Sequence, residues 1–113
     1  IPNLFAQPFK EKYAEKINFL IEEGKQFSNK ALQQYYKAMM NRADKTSVLK
    51  NNPLPVLFVI GTEDVAAPIK DVLQQTHLPL SSYIHILNNI GHMGMWEATE
   101  DLNQYLLQFI EAI

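Results

Sequence analysis

Two residues carry most of the chemical interest of this 113-residue chain, Asp64 and His92. A carboxylate bonded to one imidazole nitrogen fixes the tautomer and stabilises the imidazolium; the other nitrogen is then available as a general base near neutral pH. Asp64 stands in Gly61-Thr62-Glu63-Asp64-Val65-Ala66-Ala67-Pro68, and His92 in Asn89-Ile90-Gly91-His92-Met93-Gly94. Glu63 is a rival acid, adjacent to Asp64. Asp71 falls inside a predicted helix and reads as a solvated surface group. His77 ends a predicted helix, where a partly positive imidazole suits the helix dipole, and His85 lies mid-strand; both read as structural. The three histidines lack metal-ligand spacing, and no glycine-rich phosphate loop is present, so no metal, nucleotide or other cofactor is expected. The absence of cysteine removes a disulfide scaffold, a Cys-ligated metal and a Cys nucleophile from this chain.

For Asp64 to reach His92, the chain must bring two distant loops to one place. Val56-Leu57-Phe58-Val59-Ile60 is short, half β-branched and does not alternate, which predicts a strand buried on both faces, as in a parallel sheet. Pro68 suits a first helical turn, and Ile69, Val72 and Leu73 then make an apolar stripe that Leu78-Pro79 ends. Tyr83 to Leu87 predicts a second strand, and Asn88 to Gly94 a loop. Thr99 can cap a last helix, whose stripe is Leu102, Tyr105, Leu106, Phe109, Ile110 and Ile113. A strand-helix-strand crossover implies two parallel strands, and in open α/β sheets functional groups gather at the strands' carboxyl ends. Both loops lie at that edge.

The first half reads as helices. Phe9, Tyr13, Ile17, Leu20 and Ile21 form one stripe, Gly24 sits where a helix-ending glycine belongs, and Ser28 can cap a second helix with Leu32, Tyr35, Tyr36, Met39 and Met40 on one face. That Tyr/Met face is either core packing or the lining of an apolar pocket. Met93, Gly94, Met95 and Trp96 after the histidine present the same choice: they wall a substrate pocket or pack the last helix.

Residues 53–113 resemble the C-terminal end of an α/β-hydrolase. Pro55-Val56-Leu57-Phe58-Val59-Ile60-Gly61-Thr62-Glu63-Asp64, with Pro68 four residues on, is similar to that family's acid strand and turn. Gly91-His92 followed by Glu97 is similar to its histidine loop, and Arg42-Ala43-Asp44 to the junction where a helical cap returns to the sheet. The resemblance implies an α/β fold with residues 1–50 as a helical cap segment and 51–113 as the C-terminal part of the hydrolase core. It puts the triad acid on Asp64 and the triad base on His92, with Met93, Trp96, Tyr36 and Met40 as substrate-pocket candidates. Thr99 departs from the family, where a Pro is common. The larger departure is the nucleophile, which the family carries on a Gly-x-Ser-x-Gly turn. Ser28, Ser47, Ser81 and Ser82 are not flanked by glycines in that way. Family order is nucleophile, acid, histidine, so the nucleophile (Ser, Asp or Cys) is expected ahead of Ile1, and the chain alone is not expected to catalyse. The implied activity is hydrolysis of an ester, thioester or related bond in a small substrate, although the same fold hosts other reactions.

Composition bounds the remaining choices. Apolar residues make up 47% and charged residues 19%, which describes a globular chain. Net charge is −2, too small to argue for nucleic acid. Residues 1–52 hold nine Lys/Arg against five Asp/Glu, and residues 53–113 one against seven; two units with different surfaces, or a basic binding arm, would each give that break. No apolar run reaches the ~18 residues of a membrane span. With no leader segment and no cysteine, a cytoplasmic protein is expected. The start at Ile1 rather than Met implies processing or a cut inside a longer chain. The expected partners are a small-molecule substrate and either the rest of the fold or a second copy, because two parallel strands leave unpaired edges. A non-catalytic interaction module with a hydrolase-like half fold is the alternative.

Overall fold

Val56–Gly61 forms β1 and Ser82–Leu87 forms β2. They pair in parallel, from Val56 opposite Ser82 to Gly61 opposite Leu87, and make a two-stranded sheet. The computed structural model describes residues 1–113 and is mixed α/β. A 3-10 turn, Pro2–Leu4, precedes four helices: α1 (Gln7–Lys12), α2 (Ala14–Lys25), α3 (Asn29–Asn41) and α4 (Thr46–Leu49). After β1 come α5 (Ile69–Leu73), β2, α6 (Gly94–Glu97) and α7 (Thr99–Ala112). No helix is long and apolar enough to cross a membrane.

The predicted first helix is two. Tyr13 leaves the helical region (φ −126°, ψ 41°) between α1 and α2. Its ring continues an aromatic stack in which Phe5 lies 5.1 Å from Phe9, and Phe9 4.8 Å from Tyr13. Phe5, Phe9 and Ile17 form the buried cluster, with Leu4, Tyr13, Leu20, Ile21, Met93 and Trp96 packed around it. Gly24 lies inside α2 instead of ending it, and a Cβ there would come within 3.1 Å of the Ile1 side chain. Ser28 caps α3 as expected, its hydroxyl accepting from the Ala31 N–H at 3.1 Å.

Three later boundaries also shift for local reasons. Pro68 is the cap residue of α5 and not its first helical residue. That helix stops at Leu73, well short of Leu78, where the Thr76 hydroxyl donates to the Leu73 carbonyl at 2.9 Å and competes with the helical ladder. Thr99 is the first residue of α7, not its cap; its hydroxyl donates to the Met95 carbonyl at 2.7 Å. In the junction before α4, Asp44 accepts from the N–H and hydroxyl of Thr46, and those bonds hold its carboxyl below the usual carboxylate range.

Alternation along β2 decides what the sheet buries. Tyr83 and His85 meet α7: Tyr83 packs edge-on to Phe109, and the His85 ring lies flat on Tyr105 at 3.8 Å. Ile84 and Ile86, on the other face, are 43% and 47% exposed. On α3, Tyr35, Tyr36, Met39 and Met40 are all exposed, so the Tyr/Met stripe packs no core here. Only nine of 113 residues are buried. The radius of gyration is 16.1 Å, against about 13 Å for a compact domain of this length. Both values describe elements whose apolar faces and strand edges are left uncovered in this chain.

The chain in dilute solution is therefore predicted to self-associate. Sedimentation velocity should show an average sedimentation coefficient that rises with concentration; a constant monomer value across the micromolar range would contradict this.

Candidate active site

Parallel pairing brings the ends of β1 and β2 to one edge, because Gly61 is opposite Leu87. The two loops that leave this edge are then joined by their backbones. The Thr62 N–H donates to the Leu87 carbonyl at 3.0 Å, and the Glu63 N–H to the Ile90 carbonyl at 2.9 Å. The Thr62 hydroxyl accepts from the Asn89 N–H at 2.9 Å. Asn89 turns the second loop with φ 60°, a left-handed conformation that Asn tolerates better than most residues. The loops lie so close that a Cβ on Gly61 would run into the Ile90 carbonyl oxygen.

This geometry places Asp64 against His92, although 28 residues separate them in sequence. His92 Nδ1 lies 2.9 Å from Asp64 Oδ2. A carboxylate only accepts, so the shared proton sits on Nδ1. The other carboxylate oxygen, Oδ1, accepts from the N–H groups of Ala66 at 2.9 Å and Ala67 at 2.8 Å. One oxygen is thus fixed by the acid's own turn and the other is aimed at the imidazole. The Asp64 side chain is 11% exposed and that of His92 44%. The pair therefore has a shielded acid and an accessible base, and His92 Nε2 makes no internal hydrogen bond.

The imidazole borders a cavity of about 160 Å³ that Val59, Leu87, Ile90, Met95 and Leu102 help to line. That is smaller than the ~300–1,000 Å³ of a typical small-molecule site. Of the other candidates, Met93 and Trp96 turn toward Phe5, Phe9 and Ile17. Met95, between them in sequence, reaches the cavity. Tyr36 and Met40 stand exposed on α3 and do not border this cavity. Glu63 lines a different cavity, with Asn3, Gln7 and Lys10, so the structure selects Asp64 as the partner of His92. Ser82 Oγ is buried without a partner, but it sits at the amino end of β2, five residues or about 16 Å from the site edge. Ser81 immediately precedes it, Ser28 caps α3, and Ser47 is in α4.

Sequence reasoning gave no structural role to two parts of the site. The Glu97 carboxylate accepts N–H bonds from both sides of His92, at Gly91 and Met93 (each 3.1 Å), and from Ala6 at 2.7 Å. The His92 N–H donates to the Leu4 carbonyl at 2.7 Å. The only advance sign was an acid shortly after the histidine. Segment 4–6 carried no sign at all, because its contribution is backbone. No family model and no curated protein matches the chain.

Two stability effects follow. A Cβ on Gly91 would lie 2.7 Å from the Leu4 oxygen and 2.9 Å from the Ala6 nitrogen, both backbone atoms. Gly91→Ala is expected to cost about 1–3 kcal/mol. Asp64→Ala, which leaves the Ala66 and Ala67 amides without their acceptor, is expected to cost about 1–2 kcal/mol. Urea unfolding midpoints test both, and an unshifted midpoint for either variant would refute its prediction.

Proposed function

We propose that this chain supplies the acid and the general base of an α/β-hydrolase triad, within an enzyme that cleaves an ester, thioester or related bond in a small substrate. The observation that carries the reading is the Asp64–His92 pair at the shared carboxyl edge of two parallel strands, with Nε2 unengaged and accessible. In the proposed reaction His92 Nε2 takes the proton of a nucleophile, most simply a serine hydroxyl, as its oxygen attacks the substrate carbonyl. The imidazolium then returns the proton to the leaving group. In the second half His92 takes a proton from water as the water oxygen attacks the acyl carbon. The imidazolium gives that proton to the nucleophile's oxygen as its bond to the acyl carbon breaks, which releases the carboxylic acid product and restores the nucleophile. Asp64 holds the ring and stabilises its charged form.

No serine of residues 1–113 is placed at this edge, so the nucleophile and the oxyanion-binding amides are assigned to chain outside them. On the same reading residues 1–50 are the end of a helical cap and 51–113 the end of the core. The exposed face of Ile84 and Ile86 and the open edge of β1 are where the rest of the sheet and its helices would dock. The small cavity beside His92 then becomes one wall of the substrate site. The α3 face with Tyr36 and Met40 supports a second reading, a non-catalytic interaction module, because it is apolar and exposed.

The coding sequence ahead of Ile1 separates the two. A Gly-x-Ser-x-Gly turn is expected there, and a native start at Ile1 would exclude this mechanism for the chain. In the complete enzyme, His92→Ala is expected to lower hydrolysis of a short-chain chromogenic ester on the order of a thousandfold or more; undiminished activity would overturn the assignment.

A further inference from the structure

Three consecutive amides around the proposed base, those of Gly91, His92 and Met93, are each bonded to a part of the molecule outside the loop's own backbone. Gly91 and Met93 donate to the carboxylate of Glu97, Gly91 to both oxygens and Met93 to Oε2, at 3.1 Å in each case. His92 donates to the Leu4 carbonyl at 2.7 Å. The same Glu97 carboxylate also accepts from the Ala6 N–H at 2.7 Å. One side chain therefore holds the amides of the residues before and after His92 and ties them to the N-terminal segment, which itself holds the His92 amide.

We propose that Glu97 is a positioning residue for the base: an anionic brace that orients the His92 backbone so that Nδ1 stays on Asp64 and Nε2 stays free. This rests on the acid–base reading of Asp64 and His92 given above. The chemistry requires a carboxylate. It presents two acceptor oxygens to donors on three residues, and charge-assisted bonds of this kind are the strong ones. An amide has one acceptor oxygen, and its NH₂ would face an N–H donor at about 3 Å. Part of the arrangement follows helix-capping logic, since Met93 is the cap residue of α6 and Glu97 reaches back to its N–H. Capping alone does not involve Gly91 or Ala6.

The test is the imidazole nitrogen spectrum of the full native chain labelled with ¹⁵N-histidine, with His92 assigned by its loss in His92→Ala. At a pH where the ring is uncharged, the wild type is expected to show Nδ1 protonated and Nε2 bare. Asp64→Asn and Glu97→Gln are both expected to move His92 toward a mixture of tautomers, under conditions where amide exchange shows β1, β2 and α7 still folded. If Asp64→Asn shifts the His92 signals and Glu97→Gln leaves them in place, the brace is overturned and the acid–base pair stands. If Asp64→Asn leaves them in place, the pair itself is absent and the brace falls with it. Should Glu97→Gln not fold, wild-type exchange decides: Gly91 and Met93 amides slowed on the order of a hundredfold or more support the brace, and exchange at exposed-loop rates overturns it.

Discussion

The parallel register of β1 and β2 is the constraint on which the site depends. Because Gly61 is opposite Leu87, both strands end at the same edge, about 4.8 Å apart, and their loops leave in the same direction. Asp64 is three residues beyond one strand end and His92 five beyond the other, so both fall in a small common volume. A slip of two residues would move one loop by about 6.6 Å along the strand and separate the pair. The bonds from Thr62 to Leu87 and from Glu63 to Ile90 resist that slip, and glycine at position 61 lets the two backbones approach.

The second constraint comes from the helical half. A loop that presents consecutive N–H groups must find acceptors or lose stability. Here the acceptors are the Glu97 carboxylate and the Leu4 carbonyl. The aromatic stack of Phe5, Phe9 and Tyr13 anchors the segment that carries Leu4 and Ala6, and Met93 and Trp96 pack against the same cluster. The positions of the helices near the N-terminus and of the histidine loop are thus set together.

Much of this was legible in sequence where the cause is local. The β1 strand, the α7 helix and the Ser28 cap depend on nearby residue types and form where expected, although β1 is only partly covered and not buried on both faces, and α7 buries none of its residues. The break at Tyr13 was not legible, since the ring partners that accompany it include Phe5, outside the helical stripe. Thr99 misled because a hydroxyl near a helix end can cap an amide or bond a carbonyl, and the choice depends on the geometry of the turn; here it donates to the Met95 carbonyl. Glu97 was visible as a residue but its bonds were not, because its shortest one is to the Ala6 N–H, 91 residues away in sequence. The α3 stripe predicted burial or a pocket, and the structure supplies neither, as nothing in residues 1–113 covers Tyr36 or Met40.

A two-stranded sheet with one face open is a poor stand-alone catalyst but a sound carrier for two groups that must be held at a fixed distance. The proposed chemistry requires that distance and an accessible Nε2. The most direct test is carbethoxylation of the complete enzyme at neutral pH, with the modified histidines located by peptide mass. Ester hydrolysis should fall in step with modification of His92, not of His77 or His85, and return when hydroxylamine removes the adduct. Full hydrolysis with His92 stoichiometrically modified would contradict the account.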